Sequence, residues 1–308
     1  MDRRELIKAL GVTTGLSILS KISEAAPGTE PATSFTYCLN MATIRGHKLG
    51  FVKELETASK AGFKSVEIWM ETLQTYLNNG GTQKDAKRRL DDLGIKVEGA
   101  IGFAKWIVND DAERAKGLEQ LQREMEMLAQ IGCKRVAAPP AGATDTAVID
   151  LKKVAERYKA ILDVGTKTGV VPQLEMWGFS KNLSRVSDVI YVALETGHHS
   201  AKVLLDVYHL YKGGSPINTL PLISSNCIEI LHVNDYPANL PPSAATDADR
   251  VFPGDGVAPV RTILQTLKNV KAPLVISLEV FNKKYYAEDA LQVAKTGLTK
   301  MKAITAGI

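Results

Sequence analysis

The chain has 308 residues, 45% of them hydrophobic and 23% charged, with a formal net charge of +4. That is the composition of a soluble globular protein with a substantial core, and the length does not force two domains. So mild a charge excludes the electrostatic footprint of a nucleic-acid-binding surface. Cys38, Cys133 and Cys227 stand far apart, in or beside apolar runs. An odd, scattered set excludes a disulfide framework and fits buried free thiols.

Arg3 and Arg4 precede an apolar, glycine-containing run over residues 9–20, and Ser23-Glu24-Ala25 then offers small residues for cleavage. Charged, apolar and small in that order is the pattern of an export signal. The arginine pair resembles the twin-arginine type, although Asp2 and Leu6 stand where Ser or Thr and Phe are usual. The expectation is an export signal over 1–25, a Pro/Thr/Ala-rich linker over 26–34 and one folded domain over 35–308. The mature protein is then periplasmic or otherwise extracytoplasmic. The apolar run is short for a bilayer span, so no stable membrane insertion is expected after processing. An ordinary secretion signal or a retained anchor is the alternative.

The body alternates. Strands are expected over residues 35–41, 64–69, 95–101, 133–138, 170–176, 201–207, 228–233 and 274–280. Helices are expected over 48–61, 82–93, 112–131, 146–168, 183–196, 217–225, 258–270 and 288–303, with a long loop over 234–256. Gly62, Gly94, Gly132, Gly169 and Gly197 close five of these helices, as C-terminal capping requires. Eight strand–helix units without a composition break predict an α/β fold, a single (β/α)8 TIM barrel. A doubly wound open sheet is the rival. After the first strand, Asn40-Met41-Ala42-Thr43 lacks the glycine spacing of a phosphate loop, which weakens that rival.

In a barrel the C-terminal strand ends share one rim, where active sites lie. Val203-Leu204-Leu205 runs straight into Asp206, and three other apolar runs end in Glu175, His232 and Glu279. A carboxylate at the end of a buried strand needs a partner or a metal. Four such residues on strands five to eight converge as one metal site. Carboxylates with one imidazole favour Mn²⁺ or Mg²⁺, with Co²⁺ or Zn²⁺ as alternatives.

From residue 35 to about 305 the sequence resembles the sugar isomerase/epimerase superfamily with a xylose isomerase-like barrel, in particular its ketose 3-epimerase and hydroxypyruvate isomerase branch. An Asp-x-x-His pattern matches Asp206 to His209, and Arg-x-x-Pro-Gly-x-Gly matches Arg250 to Gly256. Gly62-Phe63-Lys64-Ser65-Val66-Glu67 resembles that family's entry to the second strand. The resemblance implies that Glu175, Asp206, His232 and Glu279 bind one divalent ion. It also implies that Glu175 and Glu279 exchange a proton with a carbon beside the substrate carbonyl, through an enediolate. His209 and Arg250 would hold substrate oxygens, with Glu67 in the same substrate-binding set. Trp69, Trp106 and Trp177 fall just beyond strands two, three and five, and aromatic walls suit the apolar face of a sugar.

The expected function is therefore a divalent-metal-dependent isomerase or epimerase of a free sugar, keto-sugar or related α-hydroxycarbonyl. A metal-dependent sugar or cyclitol dehydratase or lyase of the same superfamily is one alternative. A non-catalytic carbohydrate-binding protein is another. The apurinic endonuclease branch needs many histidines, and only His209 and His232 lie at strand ends. A small-molecule partner is expected and no nucleic acid; a homo-oligomer is left open.

Overall fold

The computed structural model describes residues 35–268 and 272–308; the expected export signal and linker lie outside the described residues. The strands are β1 (Phe35–Asn40), β2 (Ser65–Trp69), β3 (Lys96–Ile101), β4 (Arg135–Ala138), β5 (Val171–Glu175), β6 (Lys202–Asp206), β7 (Ile228–Val233) and β8 (Leu274–Leu278). The helices are α1 (Phe51–Ala61), α2 (Met70–Asn78), α3 (Gln83–Leu93), α4 (Asp111–Gln130), α5 (Leu151–Thr168), α6 (Val186–Glu195), α7 (Val207–Lys212), α8 (Val260–Leu267), α9 (Lys283–Tyr286) and α10 (Ala290–Thr305).

The strands pair in parallel, in the order β3-β2-β1-β8-β7-β6-β5-β4. At the remaining seam β3 and β4 lie side by side. Arg135 of β4 crosses it, its Nη1 donating at 3.2 Å to both the carbonyl oxygen and Oε2 of Glu98. The result is the expected eight-stranded barrel, nearly closed and ringed by helices. Strands covered on both faces read as apolar runs, and every residue of β2 and β8 is buried. Leu39, Val66, Leu205, Leu231 and Leu278 belong to one core with Leu55, Leu128, Ile161 and Leu264 of the helices.

The floor of the barrel is charged. Arg135 Nε lies 2.5 Å from Oε2 of Glu229, and Lys202 Nζ lies 3.3 Å from its Oε1. Glu98 takes Lys96 Nζ at 3.0 Å and a hydrogen bond from Ser65 Oγ at 3.1 Å.

Local chemistry moved several expected boundaries. The helix expected from residue 146 begins at Leu151, because the Asp150 side chain caps it by accepting from the Lys152 and Lys153 amides. The helix expected over 217–225 is two 3₁₀ turns, Ile217–Leu222 and Ser225–Cys227, with Pro221 removing a donor from the first. Three helices, α2, α7 and α9, were not expected; α2 and α7 each start directly from the last residue of their strand, with no loop between.

Candidate metal centre and active site

Asp206 ends β6 and also caps α7, its Oδ1 accepting from the His209 amide at 3.0 Å. The Asp-x-x-His spacing is thus a cap and the residue one turn beyond it. The β6–β7 register sets Asp206 beside His232, and Glu279 follows β8 with its amide on the Val233 carbonyl at 3.2 Å. Ligand-capable atoms of Asp206, His232 and Glu279 all lie within 4.8 Å of one another. His232 Nδ1 is 3.3 Å from Glu279 Oε2, 3.7 Å from Asp206 Oδ2 and 4.0 Å from Glu175 Oε1. Its other nitrogen, Nε2, is 2.9 Å from Glu67 Oε2. Gly99 makes room for Glu67, since a Cβ there would come within 2.6 Å of Oε1.

Four buried carboxylates, Glu67, Glu175, Asp206 and Glu279, thus face two groups able to carry positive charge, Arg250 and His232. With all four carboxylates ionised the balance is 2 − 4 = −2 even with His232 protonated, and with Glu175 neutral it is still 2 − 3 = −1. Burying uncompensated charge is costly. Among the described residues, Glu175 Oε2 and both ring nitrogens of His232 are buried without a hydrogen-bond partner. These orphaned atoms and the acid excess fit a divalent cation held by Glu175, Asp206, His232 and Glu279. Glu67 behind the imidazole would orient it, as carboxylates commonly do for metal-binding histidines.

The protein's own charges set the protonation states. Burial pushes the Glu175 carboxyl up to about 8, with Glu279 and Asp206 adding to the rise against His232. Burial also disfavours charge on Asp206, but Arg250, His209 and His232 outweigh it and hold the carboxyl below its ordinary range. For His232, Glu279 and Glu67 overcome burial and raise its pKa well above 6.5. Burial, aided by Arg250, brings His209 down to about 4, so it is neutral at physiological pH.

Arg250 comes from the long loop after β7, and that loop is pinned. Asp235 accepts from the Tyr236, Gly254 and Ala258 amides at 2.8, 3.0 and 2.7 Å, and Asp235 and Val251 form an antiparallel bridge. Gly256 must be glycine, because a Cβ there would lie 2.2 Å from the Tyr236 carbonyl. The buried guanidinium donates through Nη1 to Asp206 at 2.9 Å and Glu279 at 2.6 Å, and through Nη2 to Asp247 at 2.6 Å. Its Nη2 also lies 3.3 Å from His209 Nε2. A neutral His209 that accepts there carries its proton on Nδ1, which is buried and unpartnered.

Over the centre opens a cavity of about 200 Å³, whose lining includes Glu175, Glu279, His209, Arg250, Trp69 and Trp177. Its mouth is an aromatic collar. Trp69 meets Phe281 at 6.3 Å and Phe103 at 5.3 Å, Phe103 meets Trp177 at 6.1 Å, and Trp177 stacks on Phe179 at 5.3 Å.

Two expected substrate contacts do not reach this cavity. Trp106 is buried behind the rim, donating to the Pro139 carbonyl at 2.9 Å and packing on Tyr158, because the loop after β3 folds back over α4. Glu67 faces His232 instead of the cavity. Conversely, sequence reasoning missed Asn40 and Asn234. Asn40 donates to Glu279 Oε1 at 3.0 Å and accepts from Trp69 Nε1 at 3.2 Å. Asn234 donates to Asp206 at 3.2 and 3.1 Å. Both follow the rule that exposed the ligands, a polar residue closing an apolar strand. Phe103 and Phe179 lie in loops and Asp247 opens a 3₁₀ turn, and none carried such a signal.

The barrel and its acid-rich rim define a class: the chain belongs to the xylose isomerase-like TIM barrel family, whose profile matches residues 55–304. Among particular relatives, it is 26% identical over 272 residues to an inosose isomerase of Bacillus velezensis, covering 87% of this chain and 96% of that one. It is 23% identical over 261 residues to a 3-dehydroshikimate dehydratase of Pseudomonas putida, covering 81% of this chain and 39% of that protein. The fold also matches the structure of the IOLI protein with a binding zinc atom, with a TM-score of 0.80, 23% identity, and coverage of 88% of this chain and 98% of that one.

Proposed function

We propose that the protein is a divalent-metal-dependent isomerase or epimerase that moves a proton on a neutral α-hydroxycarbonyl sugar or cyclitol through an enediolate. The observation that carries this reading is Glu175: a buried carboxyl in the cavity wall, with one oxygen unpartnered and a pKa near 8. Burial holds this carboxyl protonated in the metal-free protein, and a bound cation would ionise it, leaving beside the substrate the carboxylate that proton abstraction next to a carbonyl requires. The inosose isomerase relative supports the reaction type.

When bound, the metal supplies positive charge that polarises the substrate carbonyl and stabilises the negative charge developing beside it. Glu175 takes the proton from the adjacent carbon, and the C–H electron pair passes into the enediolate. Glu279, held by Asn40 and Arg250, is the second proton carrier. Return to the other face of the same carbon epimerises; return to the former carbonyl carbon, with the hydroxyl proton passing from one enediolate oxygen to the other, isomerises. His209 Nδ1–H donates to a substrate oxygen, and the aromatic collar limits access of water. The oxygen-rich donor set favours Mn²⁺ or Mg²⁺. Arg250 already contacts three carboxylates, so among the described residues a phosphate finds no free cation in this cavity, and an unphosphorylated substrate fits better. An extracytoplasmic location, motivated by Arg3 and Arg4, accords with a free sugar.

The test is an NMR screen in D₂O of metal-loaded protein against inososes, ketoses and keto-glycosides. Deuterium should enter at the carbon beside the carbonyl as the isomer or epimer forms. Turnover without exchange would overturn the mechanism. Net loss of water would favour the dehydratase reading.

A further inference from the structure

A second groove, of about 660 Å³, lies outside β3 between α2, the start of α3 and α4. Ile101 and Phe103 line both this groove and the metal-site cavity, so the two recesses abut at the end of β3. Phe103, 42% exposed, stands between them. Gln74, Gln83, Gln120 and Gln130 line the groove, with Met70 and Met127 as apolar patches.

Glu124 lies in the groove wall and is only 8% exposed. Its Oε1 accepts from Gln120 Nε2 at 2.8 Å, while its Oε2 is buried and has no partner among the described residues. Gly102 packs against that oxygen, since a Cβ there would come within 2.9 Å of it. Among the lining residues Arg123 is the one base against Glu71, Glu124 and Glu126, a balance of 1 − 3 = −2 before any protonation. Burial pushes the Glu124 carboxyl up, which trims that charge. An acidic groove rejects phosphates and carboxylates. Amide groups and apolar patches suit a neutral polyhydroxylated ring, whose hydroxyls both donate and accept.

We propose that this groove is a second carbohydrate subsite, and that the substrate is a glycoside: the reacting keto-sugar ring enters the metal-site cavity and its glycosidic partner lies in the groove. The inference deepens the proposed function and rests on it. The inner cavity, about 200 Å³, is smaller than the ~300–1,000 Å³ of ordinary ligand sites. It has room for one ring, and the groove supplies room for a second.

The test titrates metal-loaded protein with methyl β-D-glucoside and with a panel of unreactive disaccharides (cellobiose, lactose, trehalose and sucrose), read by calorimetry and saturation-transfer NMR. The wild type and a Gln74→Ala/Gln120→Ala variant are compared; both side chains lie outside the metal centre. At least one disaccharide should bind about tenfold more tightly than the methyl glucoside, as one or two added hydrogen bonds provide. The variant should lose that preference and keep its affinity for the methyl glucoside. If no disaccharide is preferred, or the preference survives in the variant, the subsite is overturned. A wild type that turns over no keto-sugar or keto-glycoside sinks the proposed activity alone, because the binding comparison still decides the groove.

Discussion

At the N-terminal end of the barrel Glu98 and Glu229 are met by Arg135, Lys96 and Lys202. At the C-terminal end Glu67, Glu175, Asp206 and Glu279 outnumber Arg250 and His232, and buried atoms of Glu175 and His232 are unpartnered. Both ends bury charge, but only one resolves it internally. The floor uses ion pairs to close a seam between two strands. The rim keeps an acid excess that is costly unless something else binds there. The difference separates a structural charge network from a site: the informative quantity is the unmet demand for a partner, more than the number of charges.

The largest effect should come from the rim. Glu175→Gln keeps an oxygen for the metal but removes the base, and turnover should fall by ~10²–10⁴-fold. Deuterium exchange into substrate should fall with it, while the melting temperature of the metal-free protein holds or rises, since a like charge has gone. Full activity in this variant would end the distinction between the two ends.

The floor should respond in the opposite way. Arg135→Leu leaves Glu98 and Glu229 without their shared partner. With Arg135 still 21% exposed, the loss of stability should be about 2–3 kcal/mol, below the ~3–5 kcal/mol of a fully buried pair. Denaturant unfolding measures this, and kcat per folded molecule should not change.

Smaller effects should follow from the residues that hold the ligands. Asn40→Ala and Glu67→Gln should each weaken metal binding by ~10–100-fold, measured by calorimetry, as loss of such supports does elsewhere. An unchanged affinity in both would mean that His232 and Glu279 need no help in orienting.

The mildest test is pH. Glu175 has a folded pKa of about 8 against an ordinary 4.5. Its contribution to stability is complete below 4.5 and is lost as pH rises towards 8. His232, also raised, acts with the same sign; His209, lowered to about 4 from 6.5, acts oppositely, but only below 6.5. From pH 6.5 to 8 the melting temperature of metal-free protein should therefore fall. The increment from added Mn²⁺ should grow over the same range, because binding expels protons from Glu175 and His232. Parallel curves with and without metal would contradict the assigned ligands.

The barrel was legible because both of its signals are local: apolar runs of strand length, and glycines closing amphipathic helices at intervals. The residues proposed as ligands were legible for a related reason. An acid or histidine ending a buried strand is out of place in one dimension, and Glu175, Asp206, His232 and Glu279 all share that position. Glu67 was named only through the family resemblance, and its partner could not be read. It lies two residues before the end of β2 and meets His232 across the interior of the barrel, not along the sequence.

What the sequence by itself determined was therefore the fold, the rim and the identity of four acids and bases on consecutive strands. The tertiary structure decided which of the remaining side chains share their space. It turned Trp106 away from the cavity and brought in Phe103 and Phe179. It set Asn40 and Asn234 against the ligands, and committed Arg250 to three carboxylates. Strand ends are ordered by the register of the sheet, which short-range patterns encode; loop side chains are placed by long-range packing, which no local pattern encodes.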